Sequence, residues 1–124
     1  STLNAFDILY YQKNYKIHSL ITFGSPRVGN KDFSKVFETY NINSIRVTHY
    51  YDMVPHVPEE FLGYRHISKE VWYNEPNTEY TLCNDENGTE DDDCSNSCSP
   101  TKCTSTSDHL DYLQIKMGSS GYCW

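Results

Sequence analysis

Residues 44 to 58 read Ser44-Ile45-Arg46-Val47-Thr48-His49-Tyr50-Tyr51-Asp52-Met53-Val54-Pro55-His56-Val57-Pro58, a strand pattern that runs straight into an acid and a pair of prolines. Ile45, Val47 and His49 alternate with Arg46, Thr48 and Tyr50 at the period of two that a strand imposes. The run cannot continue through Val54 to Pro58, because Pro55 and Pro58 lack the amide donors a ladder needs. Asp52 is therefore expected just past a strand end, where open α/β sheets gather their functional groups. A carboxylate there can hold a histidine by its Nδ1 proton, as the acid of a nucleophile, histidine, acid triad does.

Upstream, the pattern of Ile17 to Phe23 predicts a mostly buried strand, and Gly24 to Gly29 a strand-to-helix turn. Asn30 is suited to cap the next helix and Asp32 to its first turn, while Phe33, Val36, Phe37 and Tyr40 recur at the spacing of one helical face. Strand, helix, strand in this order is a βαβ unit, so a parallel sheet with a right-handed crossover is expected. Residues 1 to 12 read as a helix with Leu3, Phe6, Leu9 and Tyr10 on one face. Beyond Pro58 the pattern predicts short strands at Val71-Trp72-Tyr73 and Thr78 to Leu82, separated by the turn-forming Asn74-Glu75-Pro76-Asn77. From Asn84 to Ser107 the chain is acidic and then rich in Ser, Thr and Cys, with almost nothing apolar to bury. The expectation there is a solvated loop.

The chain has 17 acidic and 10 basic residues in 124, a net charge of -7. That balance argues against nucleic acid as a partner, since phosphate binding needs a basic surface. No run approaches the roughly 18 apolar residues of a membrane span, so no transmembrane segment is expected in this stretch. Five cysteines in so short a chain suggest an oxidising compartment, and the sequon Asn87-Gly88-Thr89 points the same way.

Among the five histidines, His109 is the candidate general base. It follows the long loop and precedes the apolar pattern Leu110, Tyr112, Leu113, Ile115, and imidazole exchanges a proton near neutrality. Asp108 and Asp111 flank it, but sequence neighbours rarely present side chains in the geometry needed to orient a ring; both read as helix-start or solvent-facing acids. His18, His49, His56 and His66 show no metal-ligand spacing and are expected to be structural or exposed. A calcium loop centred on Gly88 fails, because Cys83 and Cys94 would occupy positions that require carboxylates. No cofactor or metal is expected.

Taken with Phe23-Gly24-Ser25-Pro26-Arg27-Val28-Gly29-Asn30, Asp52-Met53-Val54-Pro55-His56-Val57-Pro58 resembles the fungal-type class 3 lipases of the α/β-hydrolase fold. Gly63-Tyr64-Arg65-His66 followed by Glu70-Val71-Trp72, then Cys94-Ser95-Asn96-Ser97, then Asp108-His109-Leu110-Asp111-Tyr112-Leu113 extend the resemblance in the same order over nearly the whole chain. It implies that residues 1 to 124 are the C-terminal portion of one α/β-hydrolase domain, with a mainly parallel sheet, flanking helices and a disulfide-stapled loop. It also implies a secreted serine esterase acting on lipid esters such as triacylglycerols at a lipid-water interface, with Asp52 and His109 as catalytic acid and base. The order Asp52 then His109 agrees with the Ser, Asp, His order of that fold.

The fold's nucleophile needs Gly-x-Ser-x-Gly, and no serine qualifies: Ser19 has isoleucines in the glycine positions, and Ser25, Ser119 and Ser120 do not fit. The resemblance places the nucleophile just upstream of Ser1, so the chain alone is expected to be inactive. Cys83 with Cys94 and Cys98 with Cys103 are read as local staples, the first matching a bridge the family often has; four clustered cysteines still allow three pairings. Cys123, which in the family bridges to the N-terminal region, is expected to be a free thiol. The alternatives are a small disulfide-stapled secreted binding module, which would fold cooperatively on its own, and a non-catalytic lipase-like protein. The lipase reading predicts instead an exposed apolar sheet edge.

Overall fold

The computed structural model describes residues 1–12, 14–67, 69–85, 88–98 and 101–118. Its regular elements are α1 (Thr2–Tyr11), β1 (Ser19–Phe23), β2 (Gly29–Asn30), α2 (Lys31–Glu38), β3 (Asn43–His49), β4 (Tyr64–Arg65), β5 (Glu70–Tyr73), β6 (Tyr80–Leu82), α3 (Thr106–His109), β7 (Asp111–Tyr112) and β8 (Ile115–Lys116). Four strands form the main sheet in the order β1-β3-β5-β6. The first three run parallel, with Val47 opposite both Phe23 and Val71, and β6 returns antiparallel along β5. The predicted βαβ unit is β1-α2-β3, and β2 and β4 form a separate two-residue ribbon.

Asn30 caps α2, its Oδ1 accepting the Phe33 amide at 2.9 Å. Phe37 is fully buried, but Val36 stays 45% exposed because the covered face of this helix runs through Ser34 and Phe37. In α1 the buried line is likewise Thr2 and Ala5, with Phe6 and Leu9 packed at its side; Leu3 and Tyr10 face outward, contrary to the sequence expectation. Both helices meet over Leu20 of β1, where Ala5, Leu20, Phe37 and Ile67 form the core and the ring of Phe6 lies tilted against Phe33, centroids 5.1 Å apart.

The alternation in β3 does not separate an inner from an outer face. Arg46 and Thr48 are as buried as Val47 and His49, because β3 is a central strand covered on both sides. Arg46 is compensated by three oxygens: Nε donates to the Ile67 carbonyl at 2.6 Å, and the guanidinium meets Asp85 at 2.7 Å and Glu70 at 3.7 Å. Thr48 donates to Glu70.

Asp85 belongs to the segment expected to be a solvated loop, and this expectation is corrected. Asp85 is buried, pairs with Arg46 and accepts the amides of Lys69 and Glu70 at 3.1 and 2.9 Å. Glu90, five residues on, makes a two-pronged pair with Arg27 at 2.8 and 2.6 Å, with both side chains almost wholly buried, and accepts the His66 amide at 3.1 Å. The loop is short of apolar side chains because carboxylates anchor it to buried guanidiniums. Disulfides join Cys83 to Cys94 and Cys98 to Cys103, the expected staples. Asn87 of the sequon and Cys123 lie outside the described residues.

Among the described residues β1 has no partner on its outer edge, and its Ile21 and Phe23 remain about half exposed. No described helix is long and apolar enough to cross a membrane.

Candidate active site

After β3 the chain turns sharply, the Asp52 amide donating to the His49 carbonyl at 2.9 Å. The returning loop runs beside this turn. Ser105 donates its amide to the Tyr51 carbonyl at 3.1 Å, and Asp52 and Ser105 form an isolated parallel bridge. Ser105 then caps α3, its Oγ accepting the Asp108 amide at 3.1 Å. The short helix therefore starts at a fixed point beside the strand end, and its last residue is His109.

His109 Nδ1 lies 3.0 Å from Asp52 Oδ2. The two residues chosen from sequence are thus brought together across 57 positions of chain. A carboxylate only accepts, so Nδ1 carries the proton and, in the neutral ring, Nε2 carries the lone pair. Asp52 is 1% exposed, whereas the His109 side chain is 35% exposed and its Nε2 has no hydrogen-bond partner among the described residues. A ring held by a buried carboxylate on one nitrogen and free on the other can take a proton from a neighbouring hydroxyl.

Asp52 is held by more than His109. Its Oδ1 accepts the Val54 amide at 2.8 Å, and its Oδ2 also accepts the hydroxyl of Tyr112 at 2.5 Å. Tyr112 is buried, edge-on to Phe23 and His49 at 5.8 Å each, and burial first, then the Asp52 charge, push its phenol well above the usual range. Gly24 closes the site from behind. A Cβ at Gly24 would stand 2.8 Å from His109 Nδ1 and 2.9 Å from Asp52 Oδ2, and the backbone there has φ of 55°. Sequence reasoning missed Val54, Tyr112 and Gly24 as parts of this site. The available signals were Tyr112 three residues past His109 and a glycine at the end of a strand.

The other histidines stand apart. His49 is buried, with Nδ1 3.0 Å from the Asp108 carbonyl and Nε2 3.0 Å from both the Glu75 carbonyl and the Asn77 amide nitrogen, so it ties β3 to α3. His66 Nε2 donates to the Pro55 carbonyl at 2.8 Å; burial, with Arg46 and Arg27 nearby, holds its pKa well below the ordinary value. His56 is also buried, its pKa lowered by desolvation and by Arg27. His18 is exposed. Asp108 accepts the Tyr51 amide at 3.3 Å, and it is Asp52 that bonds the His109 ring. Ser25 donates to the Pro26 carbonyl at 3.2 Å, and no described serine bonds to His109. Cys83, Asp91 and Cys94 lie close enough to suggest a metal site, but both sulfurs are committed to one disulfide.

This geometry can be set beside known proteins. The family model described as Lipase (class 3) matches residues 1–62. A lipase of Rhizopus niveus is 41% identical over 101 residues, covering 82% of this chain. The chain belongs to the class 3 lipase family. The secreted mono- and diacylglycerol lipase A of Penicillium cyclopium is 40% identical over 77 residues, 62% of this chain. A solved triacylglycerol lipase whose catalytic centre is described as a serine protease triad superposes with a TM-score of 0.76 at 33% identity, covering 94% of this chain and 44% of that one. The fold is thus that of the lipase α/β hydrolases, seen in part. The chain spans about a quarter of the length of the curated class 3 lipases it matches, 25% and 24% for these two.

Proposed function

We propose that this chain supplies the acid and the base of a Ser-His-Asp lipase, as the C-terminal portion of a single α/β-hydrolase domain whose serine lies upstream. The observation that carries this reading is the 3.0 Å contact between His109 Nδ1 and the buried Asp52 carboxylate at the rim of the parallel sheet. In the reaction, a serine hydroxyl loses its proton to His109 Nε2 as its oxygen attacks the ester carbonyl. The imidazolium, steadied by Asp52, then protonates the departing alcohol. Water repeats the cycle to release the carboxylic acid. The open edge of β1 is where a strand carrying that serine would pair, with α1 as the connection back to the sheet, the right-handed βαβ arrangement parallel sheets favour. The substrate is a lipid ester of the triacylglycerol kind, met at a lipid-water interface. Two disulfides and a secreted relative support secretion for this lipase as well.

The test is made in the full-length protein containing this segment. His109→Ala or Asp52→Asn should each lower turnover of a p-nitrophenyl ester by at least about a thousandfold, while the 124-residue chain alone shows none. Ester hydrolysis by the isolated chain, or activity that survives His109→Ala, would overturn the assignment.

A further inference from the structure

Asp52 Oδ2 receives two donors, His109 Nδ1 at 3.0 Å and the Tyr112 hydroxyl at 2.5 Å, while Oδ1 receives the Val54 amide at 2.8 Å. The carboxylate is 1% exposed, so no bulk water shares in solvating its charge. In such surroundings each hydrogen bond to the ionised form disperses charge that would otherwise act on the nearest cation. The nearest group that becomes a cation during turnover is His109. We propose that Tyr112 is a positioning residue that sets the basicity of His109 through Asp52.

The argument runs through one oxygen. The Tyr112 hydroxyl draws electron density from the same Oδ2 that accepts from the imidazole, and so weakens the attraction of Asp52 for a protonated ring. Beside an unshared carboxylate the imidazolium would be held more strongly, so loss of the Tyr112 donor should favour the protonated ring. The ring of Tyr112 is fixed edge-on between Phe23 and His49, so the hydroxyl is delivered from a rigid base and needs no ordering at the moment of reaction. Its phenol is shifted upward, which keeps it a donor throughout the working range of the enzyme.

This inference rests on the proposed triad, and the experiment separates the two. In the full-length protein, Tyr112→Phe keeps the ring and its two aromatic contacts and removes only the donor. The acid limb of the kcat/KM profile should move to higher pH by about half a unit or more, the scale of a lost charge-assisted hydrogen bond shared between two acceptor states. Well below the limb kcat/KM should fall roughly threefold, the factor that half a unit sets, while the plateau at higher pH changes little. A tyrosine analogue bearing an amino group in place of the hydroxyl retains an N–H donor and should return the limb toward its original position. In an Asp52→Asn background, Tyr112→Phe should have no further effect on the profile, since the residue through which it acts is gone.

A Tyr112→Phe variant whose activity falls with an unshifted acid limb, or whose effect persists undiminished beside Asp52→Asn, overturns the inference and leaves a packing role. If the phenylalanine variant does not fold, a ring-fluorinated tyrosine at 112, a stronger donor of nearly the same shape, carries the comparison: it should move the acid limb to lower pH, and a limb that stays in place overturns the inference too. Activity surviving His109→Ala, by contrast, removes the triad itself.

Discussion

The closest approach at the site is the one that tolerates least. Gly24 has no side chain where one would enter the bond between Asp52 and His109, and its φ of 55° disfavours any residue with a Cβ. Gly24→Ala should displace the imidazole or the carboxylate and lower kcat of the full-length enzyme by about ten- to a hundredfold, since misplacement near an ångström is enough to do so. The thermal midpoint should fall by only a few degrees, as expected for roughly 1 kcal/mol of backbone strain in a domain of this size. An unchanged kcat would show that the ring has room to move. At this scale the sequence was readable where a residue type at a strand end or after a loop is enough to nominate a pair that meets in space, as with Asp52 and His109. It was silent on Gly24, Val54 and Tyr112, whose importance comes from what lies opposite them in space.

At the scale of elements, the acidic loop shows what composition conceals. Glu90 and Asp85 read as surface charges, yet each neutralises a buried arginine, Arg27 in the turn after β1 and Arg46 in β3. Removing one partner of such a pair strands the other without solvent, which costs about 3 to 5 kcal/mol. Glu90→Ala should therefore lower the unfolding free energy by about that amount, read from urea denaturation, and it should also free the His66 amide that Glu90 accepts. A loss under about 1 kcal/mol would mean that water reaches Arg27. Strands, helix starts and the parallel order were legible because period, capping and βαβ connectivity are local or nearly so. The ion pairs join positions 63 and 39 residues apart, and nothing in a linear charge pattern marks which carboxylate goes inside. The same limit applies to Arg46 and Thr48, since alternation cannot tell a half-covered strand from one covered twice.

For the molecule as a whole, the buried histidines make stability depend on pH. His56 and His66 both have folded-state pKa values below the ordinary 6.5, so the unfolded chain binds more protons than the native one as pH falls below that value. Their neutral burial is stabilising relative to the charged form above pH 6.5 and is progressively lost as pH drops toward the folded-state values. Glu70 works in the other direction. Its pKa is raised, chiefly by burial, so acidification through its folded value toward 4.5 relieves a cost. With two histidines against one carboxyl in the upper part of this range, the urea midpoint should be lower at about pH 5 than at about pH 7. A midpoint that stays level or rises over that interval would contradict the balance. The class of fold and its open apolar edge were both expected from sequence; the titrating interior was not, because what lowers the pKa of His56 and His66 is burial and the charges of Arg27 and Arg46, distant in the chain.

The long reach of those ion pairs also bears on how the protein is made. A ribosome releases the chain from its first residue onward, so Arg27 and Arg46 emerge well before Glu90 and Asp85, the acids they meet in the finished fold. Until that later stretch leaves the exit tunnel, Arg46 in β3 and Arg27 in the turn after β1 lack the carboxylates nearest to them in the finished fold. The nascent polypeptide can thus curl its first helices early, yet β3 reaches its final surroundings only after the last third of these 124 residues has begun to appear.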